Sequence, residues 1–482
     1  MQVSTITRFL GLLLMLFSLT MMPPVAVSFI YKDGGGTAFF ATFIISLITG
    51  LILYFPNRQA RAELKIRDGF LIVVLFWTVL SLFGSLPFLL TDGLNVSLAN
   101  AIFESFSGLT TTGATVLSGL DQLPHAILYY RQQLQWLGGM GIIVLAVAIL
   151  PMLGIGGMQL YRAETPGPMK DNKLTPRIAG TAKALWYIYL GLTISCGLAY
   201  WLAGMDVFDA IAHSFSTIAI GGFSPHDASI GYFDSRAIEL ICSFFMFFAG
   251  VNFALHFGAV RRLSIRPYLR DPEFKSYLLM LTLVAVCCIA VLFAYGLFNF
   301  GDAVVQGIFH TVSIATTTGF ATSEFHTWPI FLPALLIFAS FAGGCAGSTA
   351  GGMKVIRVLL LFKQGLREVK RLIHPNGVFL IKLGKDSVSD RVVQSVWGFF
   401  ATYVALFVIL LLILIADGLD QVTAFSAVAA CMNNLGPGLG EVALNYNSIS
   451  DLSKYVLSFA MLLGRLEIFT LLVLFTPYFW RR

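Results

Sequence analysis

Charged residues are scarce in this chain. Asp, Glu, Lys and Arg make up 12% of its 482 residues, whereas soluble globular domains carry about a quarter. Hydrophobic residues make up 57%. Short strands of alternating hydrophobicity, which are typical of membrane barrels, are absent as well. This composition excludes an ordinary soluble domain and favours a helical membrane protein.

Signatures of catalysis and of cofactor binding are also missing. There is no HExxH, no GxSxG and no Walker lysine, and the six cysteines form no CxxC pair. No span carries arginine at every third position, which excludes a voltage sensor of the usual kind. Basic residues are not interleaved with aromatics as in nucleic-acid-binding surfaces. We therefore expect a protein that is not an enzyme, carries no cofactor of its own and binds no nucleic acid.

Long apolar runs are what the chain does contain. About 20 apolar residues are needed to cross a hydrocarbon core of about 30 Å as a helix. The first run resembles a signal peptide in part, but its length and the second run directly after it favour a retained helix. The fold class predicted is an all-α polytopic membrane protein. The ten runs lie at 8–30, 37–55, 70–90, 128–150, 185–204, 236–258, 277–298, 330–361, 393–416 and 454–478.

Basic residues are concentrated in a few connections. The segments 56–69, 151–184, 259–276 and 353–391, together with the two termini, hold 26 of the 31 Lys and Arg residues. The rest of the chain has 5 basic and 16 acidic residues. Because loops rich in Lys and Arg stay in the cytoplasm, both termini are predicted to be cytoplasmic. The acidic outer face would concentrate cations.

Four glycine turns divide the chain after its first two spans. They read "SGLTTTGATVLSG" (107–119), "STIAIGGFSPH" (216–226), "SIATTTGFATS" (313–323) and "MNNLGPGLGE" (432–441). Sixteen or seventeen residues before each turn glycine stands a helix-capping residue type, at Ser97, Asp206, Asp302 and Asp420. The spacing predicts two N-terminal helices (1–68) and four repeats, at 69–160, 161–262, 263–375 and 376–482.

A half-length apolar segment precedes each turn. Twelve residues of helix span about 18 Å, enough to enter a bilayer halfway without crossing it. Irregular backbone at that depth is tolerated only when it is buried in protein or lines a water-filled cavity. Ordinary surface loops would explain neither the constant offset nor the repetition. The four turns are therefore expected to meet around one pore, in four helix–pore helix–helix repeats.

The chemistry of these turns suits a monovalent cation, potassium before sodium. Backbone carbonyls can replace the hydration shell of the ion, glycine permits the dihedral angles required, and threonine adds neutral oxygens. Each pore helix would point its negative C-terminal end at the centre. The predicted filter walls are 110–114, 219–223, 316–320 and 433–437. The residues assigned to the potassium filter are Thr110, Thr111, Thr112, Gly113, Ala219, Ile220, Gly221, Gly222, Thr316, Thr317, Thr318, Gly319, Asn433, Asn434, Leu435 and Gly436.

The motifs "TTTGAT", "TTTGFAT" and "NNLGPGLG", on four repeats, resemble the Trk/Ktr/HKT superfamily of potassium transporters. With two extra N-terminal spans, the chain is most similar to the bacterial TrkH-type membrane subunits over essentially its whole length. The resemblance implies K⁺ as the transported ion, a bacterial inner-membrane location and a homodimer with one pore per protomer. It also implies a cytoplasmic ring of nucleotide-binding TrkA-type regulatory subunits, which would explain the nine basic residues of the loop 353–391. Two departures, Ile220 and a fourth turn without threonine, imply a filter without fourfold symmetry and moderate selectivity.

The eighth run is interrupted by "FAGGCAGSTAGGMK" (341–354), a poor helix because each glycine costs about 1 kcal/mol relative to alanine. A phosphate-binding loop does not match, and close helix packing is the alternative to a gate. The resemblance implies an intramembrane gating loop here. The gate residues assigned are Gly343, Gly344, Gly347, Gly351, Gly352 and Arg465.

Arg465 lies within the last run, where a charge is costly and indicates function. A structural ion pair with Glu467 or Asp451 is the alternative. The resemblance implies that this arginine projects into the permeation path. Two rival functions remain: a symporter coupled to protons or sodium, with Glu104 as the titrating group, and a membrane scaffold or receptor that transports nothing.

Overall fold

The computed structural model of the chain describes residues 2–60, 64–141, 178–329, 331–384 and 386–481. Nearly all secondary structure in these ranges is helical, and the one β-hairpin has strands of two residues each. Six described helices are long and apolar enough to cross a membrane, and eight if each of two bent pairs counts as one span. The prediction of an all-helical polytopic membrane protein is confirmed.

The N-terminal segment forms a helical hairpin. It comprises α1 (Val3–Leu19), α2 (Met22–Tyr31) and α3 (Gly36–Tyr54). A Cβ on Gly11 would lie 2.7 Å from the Gly50 carbonyl oxygen, and one on Gly50 would lie 2.8 Å from that of Gly11. Two glycines at one crossing therefore let the α1 and α3 backbones approach closely, which is how helices associate in lipid.

Repeats one and two each contain a long helix, a half-length helix and a further helix after the glycine turn. Repeat one comprises α4 (Ile66–Gly84), α5 (Leu86–Leu90), α6 (Leu98–Leu109) and α7 (His125–Gly139). Repeat two comprises α8 (Ile178–Leu202), α9 (Val207–Ala219), α10 (Arg236–Ala249) and α11 (Phe253–Arg262). The short helix α12 (Arg266–Arg270) then leads to repeat three.

Repeats three and four complete the chain. Repeat three comprises α13 (Pro272–Ala294), α14 (Phe300–Ala315), α15 (Leu332–Ala342) and α16 (Val355–Ile373), followed by the hairpin of β1 (Lys382–Leu383) and β2 (Asp386–Ser387). Repeat four comprises α17 (Asp390–Ala416), α18 (Gln421–Asn433), α19 (Asp451–Arg465), α20 (Phe469–Leu472) and α21 (Pro477–Trp480). Short 3₁₀ turns lie at Phe55–Asn57, Leu120–Gln122, Ser229–Phe233, Phe325–Thr327, Gly440–Val442 and Val473–Phe475.

The packing of the half-length helices α6, α9, α14 and α18 closes a circle. Each lies against the helix that follows the turn of the preceding repeat: α9 on α7, α14 on α10, and α18 on α15. Helix α6 of the first repeat packs in turn on α19 of the last repeat. The four repeats therefore contact one another in a closed order, one to two, two to three, three to four and four to one.

The structure corrects two of the sequence predictions, and a third concerns residues that it does not describe. The runs 236–258 and 454–478 are not straight spans: they bend by 98° between α10 and α11 and by 108° after α19. The third half-length helix is capped by Asn299, which accepts from the Asp302 amide, so Asp302 is not the cap. Residues 142–150 of the run 128–150 and residues 151–177 of the basic loop 151–184 lie outside the described residues.

Candidate functional site

The four glycine turns share one backbone conformation. Each has a residue at positive φ, then one outside the left-handed region, then a glycine at positive φ. This alternation turns successive carbonyls toward one side of the chain, and only glycine adopts positive φ without steric cost. The pairs are Thr111 (58°) and Gly113 (81°), Ile220 (55°) and Gly222 (79°), Thr317 (72°) and Gly319 (87°), and Asn434 (54°) and Gly436 (97°).

Each turn is attached to its helix in the same way. The amide of the residue between the two positive-φ positions donates to the carbonyl five residues earlier, in the last turn of the helix. The four bonds, each 2.8 Å long, run from Thr112 to Ser107, Gly221 to Ser216, Thr318 to Ser313 and Leu435 to Ala430. The negative ends of the four helix dipoles therefore lie directly behind the turns.

The turn glycines fit against one another in a ring. A Cβ on any of them would collide with a carbonyl oxygen of the next repeat, so side chains are excluded and carbonyls pack closely. The distance from such a Cβ to the carbonyl oxygen would be 2.0 Å for Gly113 to Gly221, 2.0 Å for Gly222 to Thr318, 2.2 Å for Gly319 to Leu435 and 2.8 Å for Gly436 to Thr112. Because repeat four contacts repeat one again, the ring is closed in chain order.

Side chains reduce this fourfold arrangement to a twofold one. The hydroxyls of Thr110 and Thr112 lie 2.8 Å apart in the first turn, and those of Thr316 and Thr318 lie 2.8 Å apart in the third. The second and fourth turns have no such pair. Ile220 is held at a φ that a β-branched residue reaches only with strain. The backbone carbonyls therefore repeat four times, whereas the hydroxyls repeat twice.

The glycine-rich segment between α15 and α16 lies against the base of this ring. The Gly351 amide donates to the Thr317 hydroxyl (2.7 Å), and the Gly352 amide donates to the Asn433 carbonyl (3.0 Å). The Thr349 hydroxyl donates to the Ile218 carbonyl (2.9 Å). Gly343, Gly347 and Gly352 have positive φ. A Cβ on Gly344 would lie 2.8 Å from the Gly250 carbonyl oxygen, so this position has no room for a side chain. The segment is irregular backbone buried in protein, as membrane depth requires.

Arg465, at the end of α19, reaches both the ring and this segment. Its Nη1 donates to the Thr111 hydroxyl (3.2 Å) and lies 3.5 Å from the Thr349 carbonyl oxygen, while Nη2 donates to the Gly138 carbonyl. Its guanidinium carbon lies 5.2 Å from the centre of the Trp77 ring. Of the acids weighed as partners, Glu467 accepts from Arg357, and Asp451 lies 3.8 Å from Lys454.

A buried ion pair lies behind the first turn. Glu104 and Arg131 are both 1% exposed and 2.7 Å apart. Glu104 also accepts from the Val116 amide (2.9 Å), and Arg131 donates to the Ser224 carbonyl of the second turn (2.9 Å). The pair therefore holds the outer parts of two neighbouring turns together. Sequence reasoning singled out Glu104 as a titrating group and missed Arg131, whose position inside an apolar run was the available signal.

Gln135 braces the second turn and was missed as well. Its amide nitrogen donates to the Gly221 carbonyl (2.7 Å), and its oxygen accepts from the Phe223 amide (3.1 Å). Nothing in the local sequence distinguishes it from its neighbours Gln132 and Gln133. Which of the three glutamines reaches the turn is decided by the way α7 packs against α9, a contact between distant parts of the chain.

His226, just outside the second turn, links two repeats. It contacts Asp121 of the first repeat and lies 3.0 Å from Asp209 on α9, and its ring stacks on Tyr232. Burial opposes protonation, but the hydrogen bonds and negative charges of Asp209 and Asp121 outweigh burial and raise the pKa of His226. Its protonated form is thus an electrostatic bridge at the outer rim of the ring.

Comparison with known proteins gives a consistent result. The family model described as "TrkH: Cation transport protein" matches residues 35–481. The chain is 61% identical to the Trk system potassium uptake protein TrkH of Vibrio parahaemolyticus and 58% identical to that of Escherichia coli K12, with 100% of each chain covered. It is 42% identical to the E. coli protein TrkG over 99% of that protein. The crystal structure of the potassium transporter TrkH from V. parahaemolyticus superposes with a TM-score of 0.91, covering 100% of both chains.

Proposed function

Since the chain belongs to the TrkH family of cation transport proteins, we propose that it takes up potassium through the ring formed by its four glycine turns. The observation that carries this proposal is the closed contact of four glycines with four carbonyls of neighbouring repeats. Such a ring supplies oxygen ligands in place of the hydration shell of a cation. The role is membrane transport rather than catalysis.

The composition of the ring supports potassium selectivity without side-chain charge. The sixteen residues assigned to the filter include no carboxylate, so the negative potential comes from carbonyls and helix ends. Four repeated carbonyl positions are supplemented by only two threonine pairs. We infer fewer well-defined ion sites than in a channel of four identical subunits, with potassium preferred moderately over sodium.

The segment from Gly343 to Gly352 and Arg465 form the proposed gate. The segment bonds to the base of the ring through Thr317 and Asn433, on the path that a cation leaving the ring would follow. Arg465 places a positive charge at the same level. A cation is therefore opposed both by a physical obstruction and by charge. The full engagement of Glu104 by Arg131 and Val116 favours this channel-like mechanism over proton coupling through that residue.

Orientation and partners complete the proposal. We propose that both termini lie in the cytoplasm of a bacterial inner membrane, which the basic connections support. We infer a homodimer whose protomers each have a pore, and a TrkA-type nucleotide-binding partner at the cytoplasmic loops. This chain presents no nucleotide-binding motif of its own, so regulation by nucleotide would come from that partner.

Radioactive rubidium uptake into proteoliposomes tests the transport function. Vesicles with the purified chain and an internal potassium load receive external rubidium together with potassium, sodium or lithium, with and without a pH gradient. Potassium should compete better than sodium or lithium, and the pH gradient should have no effect. Competition equal for all three ions would contradict the filter assignment, and uptake that follows the pH gradient would establish the coupled symporter. An Arg465→Ala arm distinguishes a closed gate from the absence of a pore, since only the former gains uptake.

A further inference from the structure

A cavity of about 480 Å³ opens between α16 and the chain leading into the hairpin. Its volume falls within the usual range for small-ligand sites, roughly 300–1,000 Å³. Four basic side chains line it: Lys363, Arg367 and Lys370 from successive turns of α16, and Lys382 from β1. Neither transport nor gating uses these residues.

The charge lining the cavity is only partly balanced. Arg367 is 8% exposed and bonds to Asp390 (2.6 Å) through Nη1, but its Nε lies 3.9 Å from Glu368, beyond hydrogen-bonding distance. That buried Nε has no hydrogen-bond partner among the described residues. Within the same part of the chain, none of the three lysines has a carboxylate within 4.0 Å. Lys363 donates to the Lys382 carbonyl (2.6 Å). The three lysine charges thus have no acidic partner among the described residues, which favours an anionic ligand.

An exposed apolar stripe runs beside the basic one. Phe362, Leu366, Val369 and Ile373 follow the four- and three-residue spacing of one helix face and are 46% to 69% exposed. The three basic residues on α16 repeat the same spacing one position later along the chain. A basic face next to an apolar face can contact both parts of an anionic lipid, the headgroup and the acyl chains.

The depth of the cavity agrees with this placement. Helix α16 begins at Val355, three residues after the gate segment. At 1.5 Å per residue, Lys363 and Lys370 lie about 12 and 22 Å along the helix axis from that start. Half of a hydrocarbon core is about 15 Å thick. For a helix directed along the membrane normal from a gate near the bilayer centre, Lys370 would lie at the level of the lipid headgroups, and Lys363 about 3 Å inside the hydrocarbon boundary, within reach of the headgroups for a long side chain.

We propose that this cavity binds the phosphodiester headgroup of an anionic phospholipid of the inner leaflet. The headgroup accepts hydrogen bonds from Arg367 and the three lysines, and the acyl chains lie along the apolar stripe. An acidic segment of a protein partner would match the charges but would not require the adjacent apolar stripe at this depth.

Native mass spectrometry of the purified full-length chain in detergent tests the proposal. The protein is titrated with dioleoyl phosphatidylglycerol and, separately, with zwitterionic dioleoyl phosphatidylcholine. The double variant Lys363→Gln/Lys370→Gln should bind phosphatidylglycerol about 25-fold more weakly, because each lysine near an anionic surface contributes about fivefold. Arg371→Gln is the control for each lysine variant taken singly: it removes one positive charge from the same helix but lies outside the cavity and pairs with Glu368.

Each arm of the experiment has a decisive outcome. Equal affinity for the two lipids, or equal weakening by Arg371→Gln, overturns the site. Displacement of the lipid by glycerol 3-phosphate at equal concentration shows a small soluble phosphate ligand instead. Leu366→Ser/Val369→Ser should also weaken lipid binding. If it leaves lipid binding unchanged and lowers the fraction of dimer, the stripe is an interface between two copies. Lys382→Gln changes a cavity residue on the hairpin and leaves α16 intact, so it should weaken lipid binding even if the helix variants fold poorly.

Discussion

Replacing Arg465 by alanine should raise potassium flux through the isolated chain. The side chain contacts both the ring, through Thr111, and the proposed gate segment (343–352), through Thr349, in addition to the direct bonds between the two. A hydrogen bond to a charged group contributes about 1.5–3 kcal/mol net, so its loss should shift the gate toward opening by roughly ten- to hundredfold.

The lost charge acts in the same direction. A cation held about 6 Å from the guanidinium would be repelled by about 3 kcal/mol at an effective dielectric constant of about 20. Arg465→Lys separates the two contributions, because lysine keeps the charge but lacks the planar fork that reaches several acceptors at once. If charge dominates, the lysine variant behaves as the parent protein. If hydrogen bonding dominates, it behaves as the alanine variant.

The assay is rubidium uptake into proteoliposomes at equal protein amounts, with Arg371→Gln as a control for loss of a surface charge. Shortening the gate segment between Gly343 and Gly352 by three residues should raise flux as well, because it removes contacts with Thr317 and Asn433. Unchanged flux in both Arg465→Ala and the shortened protein, with melting temperatures near that of the parent, would refute the gating argument.

Three further predictions concern the ring and its supports. Gly319→Ala should lower rubidium uptake about tenfold or more, because its Cβ would lie 2.2 Å from the Leu435 carbonyl oxygen and because φ is +87°. The control Gly365→Ala, whose Cβ would have no neighbour within 4 Å, should leave rubidium uptake unchanged. Glu104→Ala should cost about 3–5 kcal/mol by leaving buried Arg131 unpaired, measured as a lower melting temperature, and Glu104→Gln should cost less; an unchanged melting temperature in Glu104→Ala would contradict this. The raised pKa of His226 stabilises the fold below its usual pKa of 6.5, and this contribution disappears as pH rises through the raised value. His226→Gln should therefore lower the melting temperature in acid and leave it unchanged at alkaline pH; an equal loss at both would refute the bridge.

The half-length helices and the turns that follow them could be predicted because they depend on local and periodic signals. Hydrophobic length, capping residues and turn glycines are each legible within one repeat, and their constant offset relates the four. Three of the four predicted caps, Ser97, Asp206 and Asp420, accept hydrogen bonds from the first helical turn. The fourth was misplaced because Asn299 and Asp302 are equally good capping residues three positions apart.

The supports of the ring could not be predicted, because they join positions far apart in the chain. Glu104 meets Arg131 across 27 residues, and Gln135 reaches Gly221 across 86. The bends after Ala249 and Arg465 were also missed, since both runs remain apolar across the bend. Hydropathy reports how long a segment stays apolar, and it carries no information on where the helix changes direction.

The two departures in the turns show which part of the sequence the site depends on. Ile220 and Asn434 replace the threonine of the other repeats, yet their φ values of 55° and 54° fall beside the 58° of Thr111. The side chain at this position can change because the oxygen facing the centre belongs to the backbone. The glycine two residues later cannot, because the carbonyl of the next repeat occupies the space that a Cβ would need. A ring built from main-chain contacts therefore constrains the residues that provide no side chain at all, and the order of the four turns around the ring follows from those contacts.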